Sequence, residues 1–323
     1  MARTNNGKST LYIPILISIA MALLLVARIY IKGPFQTLLN PDSQIGWKSI
    51  SDLERDKENY HSSLVLFDFS ADWCQPCKRM DKVTFQAQDV VKKVRESFYP
   101  VKVIVGSEHE KKSVTDLQTK YSLFSIPTFV VTLPSGEWVY QKRGFFPPKD
   151  FIKMLDNAKL KSYFVRAELK MAKQDYKGAL AELNPDVVSG KKQIEDEIPM
   201  MVYFHVLKNL GRLDEAKVAV KKRFDFVYSK KKSAIQPGSD KPLPWPLPFY
   251  QYLLGELDED KLMRATSAWY QKSEINCAIA LNALENNQKD LALKTFHKAA
   301  ESSYYSNSDS FRLAELYIKE LEP

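Results

Sequence analysis

Cysteine and histidine are scarce in this chain, with three and four copies in 323 residues. Three cysteines are too few for a disulfide-stapled scaffold, and only Cys74 and Cys77 stand close together, spaced C-x-x-C. A zinc ribbon needs a second C-x-x-C or a nearby histidine pair, whereas His61 and His109 flank the motif at long, unequal distances. We therefore expect no bound metal.

The chain also lacks a compact basic block. Its formal net charge of +8 comes from lysines spread over nearly every segment, with no basic cluster beside a row of aromatic residues. Nucleic acid is therefore not an expected partner, and a mildly basic face near anionic lipid is a compatible use of the charge. With 45% apolar and 27% charged residues, the composition is that of a globular protein of about two domains.

Residues 11–31 carry no charge except Arg28, and about 20 such residues suffice to cross a ~30 Å hydrocarbon core. They predict a transmembrane signal anchor that follows a short tail, residues 1–10. A cleaved signal peptide is the main alternative. The run is long for one, and basic Arg28 and Lys32 stand where a small, polar cleavage region is expected.

Both flanks of this predicted span are basic, so the distribution of positive charge hardly favours either orientation. A short tail before a single span usually stays in the cytoplasm. We therefore expect a single-pass protein of a bacterial inner membrane, with its soluble domains in the periplasm.

Residues 32–50 contain glycine, proline and asparagine and predict a linker, whereas residues 51–160 show alternating strand and helix patterns. The predicted strands are Ser63–Phe69, Val101–Val105, Thr128–Leu133 and Trp138–Lys142. The predicted helices are Lys78–Phe85, Asp89–Phe98 and Pro148–Leu160. The order strand, helix, strand, helix, hairpin and helix predicts an α/β fold, a mixed four-stranded sheet with helices on both faces.

Three signals combine here: the W-C-x-x-C motif in VLFDFSADWCQPCK, the aspartate in the strand before it, and the Ile-Pro-Thr of SIPTFVV downstream. Over residues 51–160 the chain resembles the thioredoxin family. Within that family, ADWCQPCKRMDKVTF resembles the C-terminal periplasmic domain of the DsbD thiol:disulfide interchange proteins. The resemblance implies a thioredoxin fold and thiol–disulfide oxidoreductase activity, with the redox-active disulfide Cys74–Cys77 and no other cofactor.

The order of attack follows from the position of each cysteine. Cys74 stands where a strand meets a helix, so unpaired backbone N–H groups and the helix dipole favour its thiolate and make it the nucleophile. Cys77, one turn on, is expected to be more buried and to resolve the mixed disulfide. Gln75-Pro76 resembles the Gly-Pro of reducing thioredoxins more than the dipeptides of strong oxidants, which favours a reductase over an oxidase.

The resemblance implies supporting roles for two further residues. Pro127 matches the family's cis-proline, whose turn exposes backbone groups to an extended substrate; a trans loop proline is the alternative. Asp68 matches the family's buried acid, with a raised pKa suited to relay a proton when Cys77 attacks. The alternative for Asp68 is a buried aspartate whose hydrogen bonds are satisfied and which has no kinetic role. Lys102, from the next strand, is either the charge partner of Asp68 or faces solvent. The predicted client contacts are Trp73, Pro76, Ile126 and Thr128.

The resemblance to cytosolic thioredoxins is incomplete at two positions. Arg79–Lys82 contains no helix-kinking proline, and Ser125 replaces the glycine that often precedes Ile-Pro. The first departure fits the DsbD comparison.

Residues 161–323 show a helix-pair pattern without strands. A small residue recurs at Ala179, Ala216 and Ala292, and the units resemble tetratricopeptide repeats. They predict an all-α solenoid whose concave surface binds a peptide or protein partner, with a purely structural extension as the alternative. Cys277, in mid-helix without a nearby charge, is expected to be a small buried hydrophobe with no redox role.

These features together predict a membrane-anchored thiol–disulfide oxidoreductase. Its substrates would be extracytoplasmic protein thiols and disulfides, and an upstream membrane electron donor would recharge it. Two other functions stay open: a chaperedoxin-like holdase that binds clients rather than turning them over, and an assembly factor that reduces one cytochrome or respiratory apoprotein.

Overall fold

The structure is a computed structural model that describes residues 44–56, 63–106, 112–183, 198–235, 242–266, 268–301 and 308–322. The predicted tail and anchor, and most of the predicted linker, lie outside these residues. Within the described ranges, no helix is both long and apolar enough to cross a membrane.

Four strands form one mixed sheet in the order β2-β1-β3-β4. β1 and β2 are parallel, and the other two pairs are antiparallel. Every residue of β1 and of β3 is buried, because these central strands are covered on both faces. The predicted mixed four-stranded sheet is confirmed. The strands are β1 Leu64–Ser70, β2 Phe98–Ile104, β3 Thr128–Thr132 and β4 Trp138–Arg143.

Four short helices surround this sheet. The one that follows the C-x-x-C motif starts three residues earlier than predicted, because Cys74 caps it and Pro76 lies in the first turn, where its missing N–H is not needed. It continues directly into a π-helical turn, Met80–Thr84. The helices are α1 Ile50–Arg55, α2 Gln75–Arg79, α3 Gln88–Ser97 and α4 Lys112–Lys120.

The segment before α1 belongs to this domain rather than to the predicted linker. The backbone of Lys48 forms two hydrogen bonds with the edge strand β2. Its N–H donates to the Pro100 carbonyl and its carbonyl accepts from the Lys102 N–H, each at 2.9 Å. Ile45 is buried against the sheet. Ile45 and Lys48, which lie within the predicted linker, thus pack against and pair with the sheet.

Alternate residues of β1 supply the two cores of the sheet, as the strand period of two requires. Leu66 packs on the face covered by α3, together with Phe129 and Phe151. Phe67 and Phe69 pack on the other face, in the cluster that also holds Cys74 and Cys77. The dithiol is thus attached to one of the two cores and not to a mobile loop.

The next helix, α5 Pro148–Ala172, is 25 residues long. The prediction that it ends at Leu160 is wrong, because apolar residues continue at helical spacing beyond that point. Its first half packs Phe151 and Leu155 against the sheet, and its second half packs Phe164 and Met171 into a separate helical core. The predicted domain boundary at 160/161 therefore falls inside one continuous helix.

The rest of the described chain is helical, which confirms a helix-rich second half. Ala179, Ala216 and Ala292 are completely buried. Gly211 adopts a φ of +74° in the turn between two helices, a conformation that favours glycine. The helices are α6 Tyr176–Glu182, α7 Ile198–Asn209, α8 Leu213–Lys231, α9 Leu247–Leu254, α10 Glu259–Arg264, α11 Trp269–Glu285, α12 Lys289–Glu301 and α13 Asp309–Leu321.

A buried ion cluster connects the last helix to α5 and to the start of β4. The Arg312 guanidinium on α13 binds both carboxylate oxygens of Glu168 on α5, at 2.9 and 3.0 Å. It also donates to Asp309 Oδ1 at 2.7 Å and to the carbonyl of Trp138, the first residue of β4, at 3.5 Å. Lys161 completes the cluster, 2.6 Å from Asp309 Oδ2. The Glu168 side chain is 1% exposed, so these charges depend on one another.

We expect Glu168→Ala to lower the free energy of unfolding of the full chain by about 3–5 kcal/mol, because it leaves the Arg312 charge buried without its main partner. Urea denaturation followed by circular dichroism measures the change. Arg212→Ala, which breaks an exposed pair with Glu215, is the matched control and should cost about 1 kcal/mol or less. Equal losses in the two variants would contradict a structural role for the cluster.

Candidate functional site

The dithiol lies at the junction between β1 and α2. Cys74 is the N-cap of that helix, and its sulfur is joined to Cys77 Sγ at 2.05 Å. The Cys77 backbone N–H donates to Cys74 Sγ at 3.2 Å. An N–H directed at a sulfur favours negative charge on it, so the local backbone gives Cys74 the environment of a stabilised thiolate once the disulfide is opened.

The two cysteines are equally buried in this disulfide form, each 3% exposed. The prediction that Cys77 is the more buried of the pair is therefore wrong here, because the S–S bond holds both sulfurs in one apolar cluster. Trp73, the neighbour of Cys74, is by contrast 67% exposed. The site thus presents a shielded disulfide beside an exposed aromatic ring.

The loop before β3 lies next to the dithiol. Ile126–Pro127 is a cis peptide bond, as the resemblance implied. Thr128 pairs with Phe69 near the end of β1, and Ile126 packs against the cluster that contains both cysteines. The Gly144 N–H donates to the Pro127 carbonyl at 2.8 Å and ties this loop to the end of β4.

The four predicted client contacts differ in what they present to solvent. Trp73 and Pro76 are exposed and Ile126 is half-buried, so each has surface available for contact. Thr128 is completely buried, and its hydroxyl donates to the Ser125 carbonyl at 2.5 Å. The prediction that Thr128 touches a client is therefore corrected: the side chain braces the proline loop from inside.

Asp68 is buried in β1, six residues before Cys74, and is 2% exposed. Burial raises the pKa of this carboxyl to about 7, while the charge of Lys102 opposes the rise. Lys102 Nζ lies 3.6 Å from Asp68 Oδ2, an ion-pair distance too long for a hydrogen bond. Asp68 Oδ1 has no hydrogen-bond partner among the described residues. Of the two alternatives for Lys102, the structure favours the charge partner.

Asp81 is a member of this charge group that the sequence analysis missed. Its Oδ1 accepts from Lys102 Nζ at 2.5 Å, so the lysine bridges the buried Asp68 and a carboxyl whose side chain is 45% exposed. Asp81 lies in the π-helical turn, four residues after Cys77. The spacing alone places it near the dithiol, but only the three-dimensional arrangement shows that it shares Lys102.

Two cavities in the described part of the chain lie away from the dithiol. One of about 920 Å³ lies between the start of β1 and α5, and two of the cations that line it, Arg166 and Lys170, pair with Glu182. Another, of about 590 Å³, lies among the helices around His205. Neither is lined by Cys74 or Cys77.

Within the described part of the chain, no group of three or more histidine, cysteine, aspartate or glutamate side chains is arranged to hold a metal ion. Cys277 is buried among the helices, where its thiol donates to the Ser310 carbonyl at 3.3 Å. Burial raises the pKa of this thiol well above its ordinary value.

Comparison with known proteins agrees with this geometry. The family model for the thioredoxin-like domain matches residues 52–159. The thioredoxin of Bacillus subtilis is 34% identical over 97 residues, which cover 30% of this chain and 83% of that protein. The chain belongs to the thioredoxin family. Its thioredoxin-like domain carries the Cys74–Cys77 pair and is a thiol–disulfide oxidoreductase domain.

The thioredoxin-like domain also has weak similarity to a larger protein. The thiol:disulfide interchange protein DsbD of Campylobacter jejuni is 23% identical over 124 residues, 38% of this chain. The chain matches only 21% of the length of that relative. Among solved structures, the oxidised C-terminal domain of Neisseria meningitidis DsbD is 25% identical, with a TM-score of 0.30 over 33% of this chain and 90% of that one.

The raised pKa of Asp68 predicts a pH-dependent stability of the disulfide form. An unfolded aspartate loses its proton near 3.8 and the folded one near 7, so the folded state binds more protons between these values and stability falls as pH rises through them. At about 1.4 kcal/mol for each pH unit, the total loss is on the order of 4 kcal/mol.

We therefore expect Asp68→Asn to become progressively more stable than the parent protein from pH 4 to pH 8, with a gain of up to about 4 kcal/mol. Urea titrations of the oxidised proteins at several pH values measure it. Asp116→Asn, at an exposed carboxyl of α4, is the control for the loss of one negative charge. A stability difference that is independent of pH would contradict the raised pKa.

Proposed function

We propose that the chain is a membrane-anchored reductase of protein disulfides outside the cytoplasm. The observation that carries this proposal is the Cys74–Cys77 disulfide at the start of α2, with the Cys77 N–H directed at Cys74 Sγ. That contact is the one that a Cys74 thiolate needs when it attacks a client.

In the reducing direction, the Cys74 thiolate attacks one sulfur of a client disulfide. A Cys74–client disulfide forms, the client S–S bond breaks, and the other client sulfur leaves as a thiolate that takes a proton from solvent. Cys77 then loses its proton and attacks Cys74 Sγ, which releases the second client thiol and re-forms the internal disulfide. The client gains two electrons, and a membrane electron donor returns them to the dithiol.

Asp68 supports the second step in this scheme. The Cys77 thiol must lose a proton before it can attack, and Asp68 is a buried carboxyl with a pKa of about 7, close to the operating pH. Lys102 and Asp81 extend from Asp68 towards the surface, where the proton can pass to solvent. Pro127 supports client binding, because its loop offers backbone groups to an extended segment.

The reducing direction is proposed from the Gln75-Pro76 dipeptide between the cysteines, which resembles that of reducing thioredoxins. The compartment is proposed from residues 11–31, which are apolar and long enough for one membrane span. The name of the DsbD relatives, thiol:disulfide interchange protein, fits the same assignment.

The helical region is proposed to bind a partner. Its repeated small residues are buried where helices meet, as a tetratricopeptide-like array requires, and such arrays present extended surfaces to peptides. The continuous helix α5 and the contact of Arg312 with the Trp138 carbonyl join it to the thioredoxin-like domain. Clients or an assembly partner bound there would be presented to a dithiol in a fixed position.

We expect Cys74→Ser to reduce the rate of insulin disulfide reduction to that of a control without enzyme, because the attacking thiolate is lost. Cys77→Ser should instead accumulate mixed disulfides with client proteins, because the resolving thiol is lost. The rate is followed by insulin turbidity, and trapped clients by mass spectrometry after non-reducing electrophoresis. One trapped client would indicate a dedicated assembly factor, and many would indicate a general reductase.

Cys277→Ala is the matched control for these variants, because the Cys277 thiol is buried in the helical core. It should retain the parent rate. Full insulin reduction by both Cys74→Ser and Cys77→Ser would contradict the proposal. Protection of clients from aggregation that survives the double substitution would favour a holdase.

The anchor is tested by deletion. We expect the full chain to remain in bacterial membranes after alkaline carbonate extraction, and the chain without residues 11–31 to be recovered in the soluble fraction. Protease added to intact spheroplasts should digest the soluble domains of the full chain. Protection from the protease would place the dithiol on the cytoplasmic side and contradict the proposed compartment.

A further inference from the structure

The dithiol end of the sheet carries two large exposed aromatic side chains. Trp73, next to Cys74, is 67% exposed, and Phe124, three residues before Pro127, is 69% exposed. They therefore stand on both chain segments that border the disulfide. Exposed aromatic rings around a shielded reactive group are typical of a contact surface for a macromolecular partner.

Arginines accompany this aromatic surface. The Arg143 guanidinium carbon lies 5.2 Å from the ring centre of Phe124, and that of Arg79 lies 4.2 Å from the ring centre of Phe145. A guanidinium that stacks on an aromatic face keeps N–H donors at its edge for a carboxylate. Both arginines thus stack on aromatic rings at the dithiol end of the sheet.

Both guanidinium groups belong to the surroundings of the proline loop. Arg143 is the β4 partner of Thr128, the residue that follows Pro127, and its neighbour Gly144 donates to the Pro127 carbonyl at 2.8 Å. Arg79 is the last residue of α2, the helix that contains Cys77. A client segment that extends from the Cys74 sulfur along the proline loop would pass between them.

Neither arginine forms an ion pair with a carboxylate of the described ranges; Arg143 donates only to the Ser122 carbonyl, at 3.3 Å. The charges nearby in sequence are the exposed cations Lys78, Lys82 and Lys142 and the carboxylates Asp72 and Asp81, of which Asp81 is paired with Lys102. Cations therefore outnumber carboxylates on this surface, and two of them have no anionic partner of their own.

The helical region does not occupy this surface. Arg312 contacts β4 at Trp138, where that strand begins, whereas Arg143 stands at its opposite end. β1 runs in the same direction as β4, from Leu64 at the docked end towards Cys74. The described helices are thus attached to the end of the sheet remote from the dithiol and leave the aromatic surface uncovered within the described ranges.

We propose that Arg79, Arg143 and Phe124 form an acid-selecting rim, which favours client segments that carry an aspartate or glutamate within about three residues of the attacked cysteine. The carboxylate binds the stacked guanidinium groups, and the apolar part of the segment contacts Phe124. This inference deepens the proposed reductase function and rests on it. It names the substrate class as acidic segments and not apolar segments in general.

The test uses the reduced full chain, in detergent, and three synthetic peptides. Each carries one cysteine as a mixed disulfide with thionitrobenzoate, flanked by aspartates, by asparagines or by lysines. Attack by Cys74 forms the protein–peptide disulfide and releases the coloured thionitrobenzoate anion. Each rate constant is divided by that of the same peptide with dithiothreitol, which removes the intrinsic effect of the flanking charge.

The readout is the ratio of the corrected rate constants for the aspartate and lysine peptides, which does not depend on the fraction of active protein. We expect a ratio on the order of 10 at low salt, since two exposed cations each contribute modestly. The ratio should approach 1 as salt rises from about 0.01 M to about 1 M, over which the Debye length falls from about 30 Å to about 3 Å.

Arg79→Gln combined with Arg143→Gln should bring the ratio close to 1 even at low salt. Lys217→Gln combined with Lys222→Gln removes two exposed cations from α8 and is the control for net charge; it should keep the parent ratio. A parent ratio near 1 would overturn the inference and assign the surface to apolar contact alone. A ratio that persists in the arginine double variant would overturn it as well.

The asparagine peptide separates this inference from the proposed function. If the parent protein reacts with that peptide no faster than the Cys74→Ser variant does, the dithiol is not reactive and both ideas fail. If it reacts well but shows no acid preference, only the acid-selecting rim is rejected.

Discussion

The burial of β1 on both faces is the constraint on which the rest of the structure depends. Seven consecutive buried residues leave this strand with no freedom to shift, because a slip of one residue would exchange its two apolar faces. Asp68 and Cys74 are therefore held at fixed positions relative to the sheet. The same rigidity makes Asp68 a buried carboxyl, since nothing in the strand can move to let water reach it.

This constraint explains which features could be predicted from the sequence. An unbroken apolar run followed directly by C-x-x-C predicts a central strand that leads into a helix, and both are present. The start of β2 was missed, because Phe98-Tyr99-Pro100 contains a proline that argues against a strand. At the sheet edge that proline is tolerated, and its carbonyl still accepts from Lys48 N.

Features that depend on the three-dimensional arrangement could be predicted only in part: the sequence offers Lys102 as a possible partner of Asp68 but gives no sign of Asp81. The charge group around Asp68 needs the parallel register that sets Lys102 opposite Asp68, together with the π-helical turn that brings Asp81 to the same lysine. The burial of Thr128 depends on its inward hydrogen bond to Ser125, which a motif match cannot show. The cysteines themselves were found readily, because their chemistry lies in adjacent residues.

Helix α5 has a mechanical consequence. At 1.5 Å per residue, its 25 residues make a rod of about 37 Å that is part of both cores. A molecule that binds the helical region therefore determines the direction in which the dithiol faces relative to that molecule. A flexible tether would give every bound client some chance of reaching the sulfurs. With a rigid helix, a client disulfide that is held in reach of the dithiol has a high effective concentration there, and one that is held out of reach has none. Clients of equal affinity for the helical region are then distinguished by the geometry of their attachment alone.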